Sequence, residues 1–310
     1  MHATRPKVIV VAGPTASGKS ALALRLAETF DGVVINADSQ QCYRDLSILT
    51  ARPTAADEAR VPHRLFATLG PTERDSAAAW AARAAREIEA ATAAGRRPVV
   101  VGGTGLYLQA LMIGMPAMPA IPAAARAAAK ALLADLDHAD FHRRLVARDP
   151  GAARLMPGDT QRILRAWEVI EATGRPLSAW QADPPVVPTA ADFFPILLLP
   201  PRAEVVAAAD ARFDAMIAIG AESQVADLLK AGVPLTAPVF RVLGSRALAE
   251  VSQGKRDRAE AIERGKIATR QYIKRQSTWF RHQFPARLTI HEQFSERILP
   301  EIVSKVREWG

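Results

Sequence analysis

An apolar run, Val8-Ile9-Val10-Val11, leads into the octapeptide Gly13-Pro14-Thr15-Ala16-Ser17-Gly18-Lys19-Ser20, and the helix-prone stretch Ala21-Leu22-Ala23-Leu24-Arg25-Leu26-Ala27 follows. The octapeptide fits G-x-x-x-x-G-K-[ST] in the strand–loop–helix setting that this pattern requires. Glycines let backbone N–H groups turn inward around an anion, and the following helix adds its positive N-terminal end. Lys19 supplies a cation for a terminal phosphate, and the Ser20 hydroxyl suits Mg²⁺. An ordinary glycine turn between strand and helix is the bland alternative. It does not account for a Lys and a Ser at these two positions. The loop therefore calls for a ligand carrying a di- or triphosphate, and read alone it suggests an ATP site. It leaves open what happens to the ligand.

A buried strand ending in such a loop belongs in a layered α/β domain. Similar apolar runs recur at Val33–Ile35, Leu65–Leu69, Val99–Val101 and Ile196–Leu199, with helix-prone segments between the first four. Runs that do not alternate in polarity suit parallel strands covered on both faces. After Gly114 the character changes. The connector Met115-Pro116-Ala117-Met118-Pro119-Ala120-Ile121-Pro122 opens a stretch that is helix-prone to about Ala182, and Asp183-Pro184-Pro185-Val186-Val187-Pro188 closes it. The expected fold is thus an α/β, P-loop NTPase-like parallel sheet core flanked by helices, with an inserted all-helical domain. The core is expected over 1–119 and 189–310, and the insertion over 120–188.

The 310 residues carry a formal net charge of +8, with 40 Lys plus Arg against 32 Asp plus Glu. That excess suggests a polyanionic partner, nucleic acid before membrane. A basic helix over 256–280, with Arg258, Arg264, Lys266, Arg270, Lys274 and Arg275 and followed by Arg281, is either a partner surface or a solvated face. Cys42 is the only cysteine, so no disulfide forms within the chain and no cysteine-rich zinc site exists. No signal peptide is read at the N-terminus and no apolar run reaches membrane-spanning length. A soluble cytoplasmic protein without a membrane partner is expected.

Two further loops carry chemistry. The second strand runs into Asp38-Ser39-Gln40-Gln41, and the ends of neighbouring strands converge on the phosphate loop in this layout. Asp38 is placed to bind Mg²⁺ through water or to accept a proton from a nucleophile; a helix N-cap is the structural alternative. The fourth strand ends in Gly102-Gly103-Thr104-Gly105-Leu106-Tyr107, where glycines permit close backbone approach and Thr104 offers a hydroxyl.

Taken together, these motifs resemble the tRNA dimethylallyltransferase family, also called tRNA isopentenyltransferases. The resemblance continues in Asp159-Thr160-Gln161-Arg162-Ile163-Leu164-Arg165-Ala166-Trp167-Glu168-Val169 and in Thr173-Gly174-Arg175-Pro176-Leu177-Ser178. It is found again in Arg212-Phe213-Asp214-Ala215-Met216 and in Lys274-Arg275-Gln276-Ser277-Thr278-Trp279-Phe280-Arg281. There are departures. Gln224 stands where the family usually has Glu, and Ser245 where it has an aromatic. The segment 45–53 lacks the usual glycines and carries Arg52 in place of Lys.

The resemblance implies transfer of a dimethylallyl group from dimethylallyl diphosphate to the exocyclic amine of adenosine-37 in tRNAs reading codons that begin with U. It implies a monomer. The phosphate loop, Gly13 to Ser20, would hold the departing diphosphate with Arg212 as a further cation and Mg²⁺ on Ser20. Asp38 would orient the amine and take its proton, with Thr104 holding the amine or a diphosphate oxygen. The adenine must be flipped out of the anticodon loop to reach them. Asp38, Ser39, Gln40, Gln41 and Thr104 would contact the tRNA from the core. Arg126, Gln161, Arg162, Ile163, Leu164 and Arg165 would grip its anticodon stem-loop from the insertion, although a salt-bridged helix face is the plain alternative for Arg162 and Arg165. Two rivals remain: a P-loop kinase of nucleosides or small metabolites, and an adenylate isopentenyltransferase acting on free nucleotide.

Overall fold

The computed structural model describes residues 5–310. Among the described residues eight strands form: β1 Lys7–Ala12, β2 Gly32–Asn36, β3 His63–Arg64, β4 Arg97–Gly102, β5 Met115–Pro116, β6 Pro185–Val186, β7 Asp192–Leu198 and β8 Leu288–Ile290. Thirteen α-helices join them within the same residues. In the first part of the chain they are α1 Lys19–Thr29, α2 Ala55–Arg60, α3 Ala77–Ala93 and α4 Gly105–Met112. Then come α5 Ala123–Asp135, α6 His138–Arg148, α7 Thr160–Thr173 and α8 Leu177–Gln181. The chain ends with α9 Arg202–Ala218, α10 Ala221–Lys230, α11 Ser245–Ser252, α12 Arg258–Gln283 and α13 Leu299–Trp309. Among the described residues no helix is long and apolar enough to cross a membrane.

The chain divides into two compact units, one comprising 1–112 with 188–310 and the other 113–187. The first is built on a six-stranded sheet in the order β3-β2-β4-β1-β7-β8, every pairing parallel. Val8 through Ala12 are fully buried, as a central strand covered by helices on both faces demands. Register places the site. Ala12 pairs with Gly102 and Asn36 with Val101, so β1, β2 and β4 end level with one another. The loops that leave them emerge side by side at the carboxyl edge of the sheet.

The third strand differs from the sequence expectation. It is only His63–Arg64, and the run Leu65–Leu69 is not strand. Leu65 and Ala67 adopt left-handed φ angles of 62° and 53°, which turn the chain out of the ladder. Leu69 makes an isolated bridge to Tyr43 instead. Phe66 of that run packs against the core of the sheet, and the Leu65 carbonyl accepts the Asn36 amide.

The second unit is helical, apart from the antiparallel pair β5–β6, in which Met115 faces Val186 and Pro116 faces Pro185. Its core gathers Ala129, Phe141, Leu145, Ile163, Trp167 and Ile170 from α5, α6 and α7. The helix ends follow capping chemistry. Asp137 and Asp159 accept the N–H of Asp140 and Arg162 at the starts of α6 and α7, and Gly174 ends α7 at φ 68°.

Candidate active site

The phosphate loop bridges β1 and α1. Gly18 takes φ 88°, a conformation that other residues adopt only with strain, and from it α1 begins at Lys19. The first-turn amides of a helix have no partner inside it, so they point outward as anion donors. Lys19 is only 8% exposed and folds back to donate to the Pro14 carbonyl at 3.2 Å. Burial lowers its pKa to about 8, and the charge of Arg212 adds to that; Asp38 acts the other way. The site thus holds a buried cation, Lys19, and a half-buried one, Arg212, with the Asp38 carboxylate acting on both. The Ser17 hydroxyl is buried and lacks a hydrogen-bond partner among the described residues. An orphaned hydroxyl inside a cationic loop is the feature that a phosphate oxygen would satisfy.

Asp38 is held by its neighbour two residues back. Asn36 is fully buried; its Oδ1 accepts the Asp38 N–H at 2.8 Å, and its Nδ2 donates to the carbonyls of Asp38 at 3.0 Å and Leu65 at 3.1 Å. The Trp80 indole N–H in turn donates to the Asn36 carbonyl at 2.9 Å. Asp38 is no helix cap. Its Oδ1 accepts the Gln40 N–H at 3.0 Å in a local turn. Thr104 reaches over from the β4 loop, where its hydroxyl accepts the Ser39 N–H at 2.9 Å and meets the Ser39 hydroxyl at 3.2 Å. Cys42 lies buried behind this loop. Burial pushes its thiol up to about 12, so it stays protonated and acts as packing.

Helices α9 and α12 close the site. Arg212 donates to the Thr15 hydroxyl, and burial works against its charge while Asp38 supports it. Tyr272 sits beside Thr104 and Gln40, and burial raises its pKa. Between these groups opens a pocket. Thr15, Asp38, Gln40, Arg212 and Tyr272 form its polar side; Leu49, Ala209, Phe213, Met216 and Leu243 form an apolar wall. Sequence reasoning missed Asn36, Tyr272 and the apolar wall. A signal for Asn36 was present, a lone amide ending an otherwise apolar strand. The wall had none, because its members come from segments far apart in the chain.

Several expected tRNA contacts have structural duties. The Gln41 amide donates to the carbonyls of Thr50 at 3.0 Å and Ala51 at 2.8 Å, and Gln40 Oε1 accepts the Leu243 N–H at 2.9 Å. In the second unit, Gln161 and Arg162 are exposed and Arg162 pairs with Asp159. Arg126 and Arg165 share the Glu168 carboxylate at 3.7 and 3.6 Å. Ile163 is a correction: its side chain is fully buried in the helical core and offers no surface to a ligand, because the inward face of α7 repeats through Ile163, Ala166, Trp167 and Ile170. Leu164 packs partly against the same core.

The departures find places too. Gln224 Nε2 donates to the Ser47 hydroxyl at 2.7 Å and its Oε1 accepts the Ile48 N–H at 2.9 Å, pinning the loop that lacks glycines. Ser245 is fully buried and donates to the Val242 carbonyl at 2.7 Å.

A model of the IPP transferase family matches residues 41–283, beginning after the phosphate loop and Asp38. A protein of Rhodospirillum centenum named tRNA dimethylallyltransferase is 51% identical over 288 residues, covering 92% of this chain and 91% of that one. One of the same name from Paramagnetospirillum magneticum is 48% identical over 309 residues, covering 99% and 98%. Among solved structures, a tRNA delta(2)-isopentenylpyrophosphate transferase of Staphylococcus epidermidis superposes with a TM-score of 0.70 at 29% identity, over 99% of this chain and 100% of that one. A eukaryotic dimethylallyltransferase acting on tRNA superposes with 0.73 at 28% identity, over 88% and 69%. With the phosphate loop, the Asp38 loop and the Thr104 loop on one sheet edge, and with similarity running the length of the chain, this protein belongs to the IPP transferase family, that of the tRNA dimethylallyltransferases.

Proposed function

We propose that the protein transfers a dimethylallyl group from dimethylallyl diphosphate to the exocyclic amine of the adenosine immediately 3′ of the anticodon, in tRNAs reading codons that begin with U. The observation that carries this reading is the two-sided pocket. Thr15 and Arg212 on its polar side, with the buried Lys19 near enough to feel the charges of Arg212 and Asp38, suit a diphosphate, while Leu49, Phe213, Met216 and Leu243 suit a branched hydrocarbon. A phosphate-loop kinase needs polar partners for a ribose or an acceptor hydroxyl on that side. Asp38 lines the pocket, and Thr104 holds the Ser39 N–H of the same loop.

In the reaction the C–O bond between the allylic carbon and the diphosphate breaks, and a bond forms from that carbon to the adenine nitrogen. Negative charge builds on the leaving group. Lys19, Arg212, the first-turn amides of α1 and the Ser17 hydroxyl stabilise it. The amine is a poor nucleophile because its lone pair is delocalised into the ring. Asp38 accepts one of its N–H groups and then its proton, and the turn built by Asn36 and Gln40 keeps that carboxylate aimed. Mg²⁺ takes few protein ligands when substrate phosphates supply the rest, so a single hydroxyl beside the diphosphate is enough of a protein donor. Ser20 would hold the ion, and it would neutralise charge on the diphosphate. Arg126, Gln161, Arg162 and Arg165 are the tRNA-gripping groups of the helical unit.

The test offers labelled dimethylallyl diphosphate with Mg²⁺ to the enzyme together with either unmodified tRNA or AMP. Label in tRNA is the expected result. Label in AMP alone, or phosphate transfer from ATP without prenylation, overturns the reading.

A further inference from the structure

Gln276 is a buried amide that the transfer chemistry above does not use. It is 5% exposed on α12. Its Oε1 accepts the Thr15 N–H at 2.9 Å, and its Nε2 donates to the Gly103 carbonyl at 2.8 Å. The ladder between β1 and β4 ends at Ala12 and Gly102, so beyond that pair the two loops run free of the sheet. One neutral side chain joins them there. The fit is close: a Cβ at Gly103 would stand 2.3 Å from Nε2, and one at Gly105 would stand 2.4 Å from the Trp279 ring, one turn further along the same helix. Thr15 needs an acceptor and Gly103 a donor, and a glutamine supplies both without charge.

The two loops serve different halves of the reaction. Thr15 belongs to the phosphate loop and carries Arg212 on its hydroxyl. Thr104 follows Gly103 and holds the Ser39 N–H of the Asp38 loop. We propose that Gln276 is a positioning residue that sets the spacing between the diphosphate-binding loop and the Thr104–Asp38 loops, and so the alignment of donor and acceptor. This rests on the transfer reading of the same site. Displacement between two bound substrates depends steeply on alignment, and a shift of about 1 Å costs about a hundredfold in rate. Donor binding alone depends on the phosphate loop and should survive.

The experiment uses the full-length enzyme with Gln276→Glu and Gln276→Met. Measured are kcat, the donor dissociation constant by calorimetry, thermal stability, and amide hydrogen exchange at Thr15 and around Gly103. Both variants are expected to lose about tenfold to a hundredfold in kcat at pH 8, with donor affinity within about threefold of the parent. Gln276→Met should lose protection at Thr15. A glutamate buried beside a carbonyl has a raised pKa, and once protonated it restores the donor to Gly103. The kcat of Gln276→Glu relative to the parent is therefore expected to recover as pH falls. Lowered stability with unchanged kcat per folded molecule overturns the proposal. So does a defect confined to donor affinity. If the parent enzyme transfers no prenyl group the transfer reading fails, whereas an active parent with unaffected variants removes only the role of Gln276.

Discussion

Lys19 is useful to a diphosphate only while it carries its proton. In the free enzyme burial lowers its pKa from 10.5 to about 8. Between those values the unfolded chain binds more protons than the folded one, so this group's contribution to stability is least below about pH 8 and improves as pH rises. Binding runs the other way. Donor affinity is expected to be greatest below pH 8 and to fall roughly tenfold per unit above it, with proton uptake on binding. Calorimetry across that range checks this, and a flat profile would refute it; Lys19→Arg should flatten the step. Asp38 is tested by Asn rather than Ala, because an Asn Oδ1 still accepts the Gln40 N–H that Asp38 now holds. The expected result is a kcat loss of about 10² to 10⁴ with tRNA affinity retained. A parallel fall in affinity would make Asp38 a recognition group. Both residues were legible because each lies in a loop that follows an apolar run. Asn36 stood out only as a lone amide ending an apolar strand; nothing local says that it reaches Asp38 and Leu65 together.

Helix α12 shows how an element can be found and yet misjudged. Its basic residues were plain, but the face that matters to the site carries Thr269, Tyr272, Gln276 and Trp279, at spacings of three and four. Much of the charge is neutralised locally. Arg258 pairs with Glu222, Arg264 with Glu260, Lys266 with Asp214, and Arg270 with Asp210 and Glu263. Gly265 on this helix makes a sharp test. Helix propensity alone favours Gly→Ala by about 1 kcal/mol. Here the new Cβ would stand 2.2 Å from Phe213 Cζ, and the same ring lies 2.8 Å from where a Cβ would project at Gly244. The ring lines the apolar wall, so a new methyl would press it toward the pocket. Gly265→Ala is expected to lower stability by about 1–3 kcal/mol and to raise the KM for the donor. A stabilised variant with unchanged KM would show that the wall is not shaped by this contact.

For the whole molecule the net charge of +8 becomes selective once the ion pairs are assigned. Among the described residues Lys274, Arg275 and Arg281 enter no ion pair, and the Arg275 guanidinium lies over the Tyr272 ring at 5.7 Å. Binding of tRNA is expected to weaken with salt, and replacing any of these three by Ala should reduce the slope by up to about one unit. Replacing the paired Arg258 should leave the slope nearly unchanged, which filter binding at several salt concentrations will decide. The helical unit offers a second test. Its ends lie side by side, because Met115 pairs with Val186, so a short glycine linker can replace 115–186. The shortened enzyme is expected to keep donor binding and lose transfer to tRNA. Undiminished transfer would take the helical unit out of tRNA recognition.

The sequence by itself determined the local chemistry of this protein: an apolar strand, a glycine loop and a helix start make an anion cradle wherever they occur, and apolar runs ending in Asp38 and Thr104 bring those residues to the same sheet edge. It also determined the helical stretch between prolines, since capping and periodicity act over a few residues. Only the tertiary structure decided which side chains face one another across that edge. Asn36 under Asp38, Gln276 between two loops, and Leu49, Phe213, Met216 and Leu243 on one wall are contacts between segments far apart in the chain. Such contacts follow from strand register and helix rotation, which no local pattern encodes. Those contacts place an apolar wall beside Arg212 and Asp38, and on that juxtaposition the proposed prenyl diphosphate donor rests.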